Sequence, residues 1–201
     1  MSWIKEIPFD EAEGKLKQLY KRVCGPDNNV DNVMSVHSLR PHSMEGHMSL
    51  YKNVLHHSGN QLPKHYLETL GVYVSHLNQC AYCVEHHFAG LSRLLQDEDR
   101  ATTIRKALET EEFDTTFSTK EKAGLIYAKK LTLHHIQMVQ EDIQALRDNQ
   151  FDDGEILEVN QLVSYFNYVN RTVLGLGVDT IGDILGLSPN QSDDPNNWNH
   201  S

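Results

Sequence analysis

The sequence lacks several features that would place it in common functional classes. No uncharged apolar run approaches the roughly 18 residues that a membrane-spanning helix needs, and residues 1–17 carry too many charges for a secretory signal. Basic residues are scarce, because 18 Lys and Arg stand against 28 Asp and Glu and give a net charge of −10. This charge disfavours binding to nucleic-acid backbones and to anionic membranes. The sequence therefore predicts a cytoplasmic protein that binds neither nucleic acid nor a membrane.

Cysteine is scarce as well, since the 201 residues contain only Cys24, Cys80 and Cys83. A small and odd number of cysteines excludes the disulfide framework of a small secreted domain. Two of the three form a CxxC pair, which in a cytosolic chain favours redox chemistry or metal binding over structural cross-linking. Cys24 has no such neighbour, and the sequence assigns it no role.

The alternation of apolar and polar residues that marks a half-buried strand is missing from every segment of useful length. Apolar residues recur instead at helical spacing, so we predict an all-α fold with a single domain over residues 1–187. Residues 188–201 are rich in Asn, Asp, Ser and Pro, which predicts a polar, flexible tail. Cap and breaker residues place the predicted helices at about 10–25, 43–59, 63–78, 80–96, 97–108, 119–133, 139–149 and 153–174.

Particular polar residues mark the ends and the interior of these helices. Asp10 with Glu13, and Ser118 with Glu121, have the spacing of capping boxes at two helix starts. Asn170 interrupts the apolar stripe of the last helix, and we predict that its amide satisfies buried backbone groups.

The CxxC pair and the histidine that follows it lie on one face of the predicted fourth helix. At 100° per residue, Cys80, Cys83 and His87 fall within about 60° of one another. The N-terminus of a helix lowers the pKa of a CxxC thiol, so we expect a thiolate at neutral pH. His87 is better placed as a base for Cys83 than for Cys80. We therefore predict that Cys83 is the attacking sulfur and Cys80 the resolving one.

A zinc site is the alternative interpretation of the same segment. Cys80, Cys83 and either His86 or His87 are ligand types that zinc prefers. No second CxxC or HxxxH motif supplies a fourth ligand, so we expect no bound metal or cofactor. His86 is then expected to be a surface or packing residue, as are His76 and the pairs His56–His57 and His134–His135.

The segment ETLGVYVSHLNQCAYCVEHH resembles the signature of the carboxymuconolactone decarboxylase superfamily, specifically of its AhpD-like alkylhydroperoxidase and peroxidase-related branch. In that signature a glutamate precedes CxxCxxxH. Here Glu68, Cys80, Cys83 and His87 stand at intervals of 12, 3 and 4 residues. The segments STKEKAGLIYAKKLT and FNYVNRTVLGLGV are also similar to the family, so the resemblance covers roughly residues 40–180.

The resemblance implies an AhpD-like helical bundle that assembles into homo-trimers or homo-hexamers. It also implies an alkylhydroperoxidase of antioxidant defence, in which Cys83 becomes a sulfenic acid and Cys80 resolves it and donates a proton. Glu68 and His87 would form the proton relay. The partners would be a hydroperoxide and a thiol reductant, either lipoyl-bearing or thioredoxin-like. One straight helix would turn Glu68 about 120° away from the cysteines, so a break near Asn78 is required.

Tyr82 is a departure from the family pattern, because the peroxidases that this motif resembles have a histidine between the cysteines. A phenol does not accept a proton near neutral pH, so the relay is expected to be weaker here. Two other functions stay open. One is a disulfide-exchange or redox-sensing module with little peroxide turnover, and the other is an enzyme like the carboxymuconolactone decarboxylases, which lack the CxxC pair.

Overall fold

The structure is a computed structural model that describes residues 2–189, 193–194 and 197–198. Within these residues it contains helices and no strand, which confirms the predicted all-α fold. None of the helices in the described residues combines the length with the apolar character that crossing a bilayer requires. The α-helices in this part of the chain are α1 (Gly14–Val23), α2 (Asn32–Ser35), α3 (Pro41–Leu55), α4 (Lys64–Leu77), α5 (Ala81–Leu95), α6 (Glu98–Thr110), α7 (Thr119–Leu133), α8 (Gln140–Asp148) and α9 (Asp153–Leu176).

Helices α4 and α5 form a hairpin at the centre of the molecule. Helix α4 packs most extensively against α5, and next against α9 and α7. Residues 66–75 of α4 are all buried, so this helix is surrounded by protein on every side. Any polar side chain on this part of α4 therefore needs a partner within the protein rather than water.

The turn between α4 and α5 is a Schellman motif, in which two backbone hydrogen bonds close the end of a helix. Gln79 adopts the left-handed conformation, with a φ of 58°. Its N–H donates to the carbonyl of His76 at 2.9 Å, and the N–H of Cys80 donates to the carbonyl of Ser75 at 2.9 Å. This turn is the break near Asn78 that the sequence required, and it brings the end of α4 back along the start of α5.

Helices α4 and α9 approach closely at a glycine. A Cβ atom at Gly71 would overlap the ring of Phe166, so only glycine allows the two helices to pack at this distance. The ring of Phe166 in turn meets the His87 imidazole edge to face, with centroids 4.6 Å apart. The helix crossing therefore also sets the position of a predicted site residue.

The predicted helix boundaries agree with the structure to within a few residues, except near the N-terminus. The predicted capping box at Ser118 and Glu121 is present, with backbone N–H to side-chain distances of 3.2 and 2.9 Å. The predicted helix start near Asp10 is wrong. Residues 9–11 form one 3₁₀ turn, and extended backbone at residues 12 and 13 separates it from α1. Gly14 then begins α1 with a φ of 53°.

The flexible tail was predicted for residues 188–201, of which 190–192, 195–196 and 199–201 lie outside the described residues. Among the described ones, Trp198 is buried in a cluster with side chains of α1 and α3. The guanidinium of Arg22 lies 3.8 Å from the centre of its ring. The flexibility of the tail stays a prediction. Trp198 is a residue of this segment that packs against α1 and α3.

Candidate active site

A cavity with about 60 Å³ of interior space lies beside the cysteine pair. This volume accommodates a few water molecules or a small organic group. Its wall is formed by α3, α4, α5 and α9, together with parts of residues 31–34 and 186–188. Cys83, Glu68 and His87 belong to this wall, whereas Cys80 is fully buried and does not line it. A molecule in the cavity can therefore reach Cys83 first.

The two cysteines lie at the start of α5, Cys80 at the N-cap and Cys83 in the first turn. Both are free thiols, and their sulfur atoms are 2.8 Å apart. At this separation one thiol donates a hydrogen bond to the other, so a proton can pass between them. The start of a helix places both sulfurs near the partial positive charge of its unpaired N–H groups.

The environment separates the pKa values of the two thiols. A hydrogen bond with Cys83 lowers the pKa of Cys80, against an opposing effect of burial. Burial raises the pKa of Cys83 well above its usual value, and the interaction with Cys80 raises it further. A hydrogen bond with the Asn170 amide lowers the pKa of both thiols. Of the two thiols, Cys80 is therefore the one that loses its proton more readily, and Cys83 is the one held in its protonated form.

Glu68 of α4 and His87 of α5 meet across the helical hairpin. Oε2 of Glu68 lies 2.7 Å from Nδ1 of His87, and the carboxylate is almost completely buried. A carboxylate bound at Nδ1 orients the ring and leaves Nε2 for proton exchange. No other hydrogen bond of the His87 side chain is found in the described residues. The structure thus brings together all four predicted site residues, as a thiol pair and a carboxylate–imidazole pair on α4 and α5.

A second polar cluster, which the sequence did not predict, lies on the same cavity. The Tyr82 hydroxyl donates to Oδ2 of Asp183 at 2.7 Å, and Nε2 of His86 lies 3.1 Å from the same oxygen. The rings of Tyr82 and His86 stack with centroids 4.5 Å apart. Asp31 completes this carboxylate cluster and lines the cavity beside His86. His86 is half-buried and packs on Tyr82, in agreement with the expectation of a surface or packing residue, and a distant segment of the chain supplies its carboxylate partner.

Burial raises the pKa values of two groups in this cluster, Tyr82 and Asp31. Burial, followed by the negative charges of Asp183 and Asp31, raises the pKa of Tyr82 well above its usual value. The phenol thus stays protonated and acts as a hydrogen-bond donor rather than as a base. Burial raises the pKa of Asp31 to about 7, with His86 lowering it and Asp183 raising it.

The zinc arrangement considered for the CxxC pair is not assembled. In the part of the chain that the structure describes, Asp31, His86 and Asp183 are the one group of three ligand residues whose atoms lie within 4.8 Å of one another. His86 is directed to a carboxylate rather than to the thiols. His87 is held by Glu68, so neither histidine forms a three-ligand cluster with the two cysteines.

Asn170 is a further site residue whose role differs from the prediction. Its Nδ2 donates to Oγ of Ser75 at 3.1 Å, and its Oδ1 accepts from Nδ2 of Asn78 at 2.9 Å. The prediction that it satisfies backbone groups is wrong, since its hydrogen bonds go to the side chains of Ser75 and Asn78. The sequence signal was its position in an apolar stripe, but only the helix packing shows which groups face it.

Comparison with known proteins gives one relative by sequence and several by structure. No protein-family model matches the chain. The uncharacterized protein YdfG of Bacillus subtilis (strain 168) is 22% identical to it over 144 residues, which cover 72% of this chain and 93% of YdfG.

Solved structures align with most of the chain. An uncharacterized peroxidase-related protein from Ralstonia eutropha JMP134, described as an alkylhydroperoxidase AhpD core, aligns with a TM-score of 0.77 and 21% identity over 89% of this chain and 92% of that chain. A variant of the debrominase Bmp8, solved in complex with 2,3,4-tribromopyrrole, aligns with a TM-score of 0.70 and 14% identity over 90% of this chain and 94% of that chain. At such identities the alignments establish the fold, and this chain has the helical fold of the AhpD-like proteins.

Proposed function

We propose that this protein is a thiol-dependent hydroperoxide reductase in which Cys80 and Cys83 cycle between two thiols and a disulfide. The observation that carries the proposal is the pair of sulfurs 2.8 Å apart, of which Cys83 lies on the wall of a cavity that His87 also lines. Two adjacent thiols supply the two electrons that reduction of a peroxide consumes.

The first step is removal of the proton from Cys83. Cys80 is the thiol with the lowered pKa and lies within hydrogen-bond distance, so its thiolate can accept this proton. His87 is a second acceptor, because Glu68 binds its Nδ1 and stabilises the imidazolium that forms. Glu68 and His87 thereby act as the proton relay that the family resemblance implies.

The thiolate of Cys83 then attacks one oxygen of the hydroperoxide. A sulfur–oxygen bond forms while the O–O bond breaks, so Cys83 is oxidised to a sulfenic acid and the peroxide is reduced. The leaving alkoxide takes the proton that Cys80 or His87 accepted from Cys83 and departs as an alcohol, which leaves Cys80 as a thiolate. This thiolate next attacks the sulfur of Cys83, the sulfur–oxygen bond breaks, the hydroxide that leaves takes a proton from solvent to become water, and a disulfide forms. A dithiol reductant, which we propose to be lipoyl-bearing or thioredoxin-like, restores both thiols.

The assignment of roles is tested with Cys80→Ser, treated with one equivalent of an organic hydroperoxide and then with a reagent that traps sulfenic acids. We expect mass spectrometry to find the adduct on Cys83, because the resolving thiol is missing. Cys24→Ser is the matched control and should form the intramolecular disulfide as the unmodified protein does. An unmodified Cys83 in the Cys80→Ser protein, or an adduct on Cys80 in a Cys83→Ser protein, would contradict the assignment.

Turnover distinguishes a reductase from a redox-sensing module. With excess hydroperoxide and dihydrolipoamide, a reductase consumes many equivalents of peroxide per chain. Formation of the disulfide followed by a halt after one equivalent would favour the sensing function instead.

We also propose that the chain forms a homo-trimer or homo-hexamer, as the resemblance implies. Large apolar side chains are exposed along α7 and the turn that follows it, including Ile126, Leu133 and Ile136, of which the last is 85% exposed. Exposed apolar surface of this kind is typical of subunit contacts. Light scattering that gives a single chain of 23.0 kDa would contradict the proposal.

A further inference from the structure

We propose that Asp31, His86 and Asp183 form a binding site for a divalent transition-metal ion beside the cavity that Cys83 lines. The three residues come from different parts of the chain: the residue before α2, the middle of α5 and the segment after α9. This site is separate from the thiol chemistry proposed above and does not depend on it.

The ligand atoms already have nearly the spacing that an ion requires. One nitrogen or oxygen from each residue lies within 4.8 Å of the others. Nε2 of His86 and Oδ2 of Asp183 are 3.1 Å apart, which suits two neighbouring ligands bound at about 2.0–2.2 Å from a metal. Asp31 lies within 4.8 Å of both, and no hydrogen bond to its carboxylate is found in the described residues that would resist an adjustment.

The carboxylate of Asp31 is the observation that points to a ligand. Asp31 occupies the N-cap of α2, where an aspartate commonly accepts from the helix N–H groups, yet its side chain makes no such bond. It is only 8% exposed and lines the cavity. A buried carboxylate without a hydrogen-bond donor is costly, and a bound cation would remove this cost.

The charge of the cluster favours a cation. Two carboxylates stand beside one imidazole, and the charges that act on Asp31 come from Asp183 and His86. No lysine or arginine is among the described residues that line the cavity. With two carboxylates, one imidazole and no lysine or arginine among the described residues of the cavity wall, the cluster suits a divalent cation better than an anion.

The groups around the ligands hold two of them in place, as is typical of metal sites. Asp183 accepts from the Tyr82 hydroxyl at 2.7 Å and from the backbone N–H of Asn32 at 3.0 Å. Gly186 anchors the segment that carries Asp183, since it has a φ of 78° and a Cβ atom there would lie 2.8 Å from the backbone of Ala89 in α5. His86 is held by its stacking on Tyr82.

The types of ligand atom limit which metal ions the site could bind. One imidazole nitrogen and two carboxylate oxygens suit Mn²⁺ or Zn²⁺ better than a soft ion such as Cu⁺. Three protein ligands leave at least one coordination position open. Because Asp31 and His86 line the cavity, a molecule in the cavity could occupy that position.

The site is tested by titrating the full chain with Mn²⁺, whose preference for oxygen and nitrogen keeps it away from the thiols. Calorimetry and the electron paramagnetic resonance signal of free Mn²⁺ both report binding, and we expect one ion per chain. Asp31→Asn and His86→Gln should each weaken binding by about tenfold or more. Asp99→Asn, a change at an exposed acid of α6, is the matched control and should bind like the unmodified chain.

Two further results complete the test. A Cys80→Ser/Cys83→Ser double variant should keep the affinity for Mn²⁺, and circular dichroism should show that each variant is folded. The proposal is overturned if the unmodified chain binds neither Mn²⁺ nor Zn²⁺. It is equally overturned if folded Asp31→Asn and His86→Gln proteins bind as tightly as the control, or if the double cysteine variant alone loses binding.

Discussion

The two polar groups on the cavity differ in how the chain assembles them. The thiol pair and the Glu68–His87 pair all lie on the hairpin of α4 and α5, within 20 consecutive residues. The carboxylate cluster takes only His86 from that hairpin, and it takes Asp31 and Asp183 from segments 152 positions apart. The first group needs only the hairpin of α4 and α5 to form. The second also needs the segments that carry Asp31 and Asp183 to pack against that hairpin.

The two groups also differ in charge. Glu68 is matched by a single imidazole at 2.7 Å, so a proton that arrives at His87 gives a neutral ion pair. In the carboxylate cluster two acids share one imidazole. The contrast teaches that one cavity can hold one group suited to moving protons and another suited to holding a cation, although their histidines are adjacent in the sequence.

The largest expected effect is that of His87→Ala on the thiol side. Loss of a general base typically slows the catalysed step by about 10²-fold or more, which corresponds to about 2.7 kcal/mol of transition-state stabilisation. Stopped-flow measurement of the reaction with an organic hydroperoxide checks this, with His76→Ala as the control because His76 lies at the end of α4 and does not line the cavity. The same His87→Ala protein should bind Mn²⁺ normally. Equal rates in the two variants would make His87 a packing residue.

A smaller effect is expected for Asn170→Ala, which removes the amide behind the thiols. Ser75 and Asn78 lose a partner, and an unpaired buried polar group costs about 1–3 kcal/mol of unfolding free energy. The pKa of both thiols should rise, because the amide no longer hydrogen-bonds to them. Urea denaturation measures the first effect, and the ultraviolet absorbance of the thiolate against pH measures the second.

Asn160→Ala is the control for this change, because Asn160 is also on α9 and donates to Tyr127 at 2.8 Å. It should reduce stability without moving the thiol titration. If both variants leave that titration unchanged, Asn170 acts only in packing.

A pH-dependent effect, small over any one pH unit, is expected from His47, which lines the same cavity and is held neutral. Burial, and then repulsion by His37, lowers the pKa of His47 from 6.5 to about 3. The unfolded chain therefore binds a proton that the folded chain does not, so stability is lost as pH falls from 6.5 towards 3. The slope is at most about 1.4 kcal/mol for each pH unit.

His47→Phe keeps an aromatic ring against Tyr165 and removes the titrating group. Denaturation of both proteins across this pH range isolates the contribution, because the other acids titrate in both. We expect the difference in unfolding free energy between them to shift in favour of the variant as the pH falls, and parallel curves would show that His47 is not held neutral by the fold.

Much of the thiol site could be predicted from the sequence, because its residues are joined by local geometry. The intervals from Glu68 to His87 were readable as a motif, and the need for a break near Asn78 followed from helix periodicity. The form of that break could not be predicted, since Gln79 carries a Cβ and has no strong preference for the left-handed conformation that it adopts. The sequence also could not predict which thiol has the lower pKa, because this depends on burial and on Asn170, which lies 90 residues beyond Cys80.

The sequence by itself determined the all-α class and the shared helix face of Cys80, Cys83 and His87, because helix periodicity acts over one or two turns. The resemblance to a family motif added Glu68 and the need for a break near Asn78. Only the tertiary structure decided the cavity, the partners of Tyr82 and His86, and the burial of Asp31. These depend on contacts between residues that are far apart in the chain. The sequence pattern of one segment does not show which distant carboxylate will lie against it. The physical reason is that the periodicity of apolar residues shows which side of a helix is buried, whereas the packing of the helices decides which residues lie against that side.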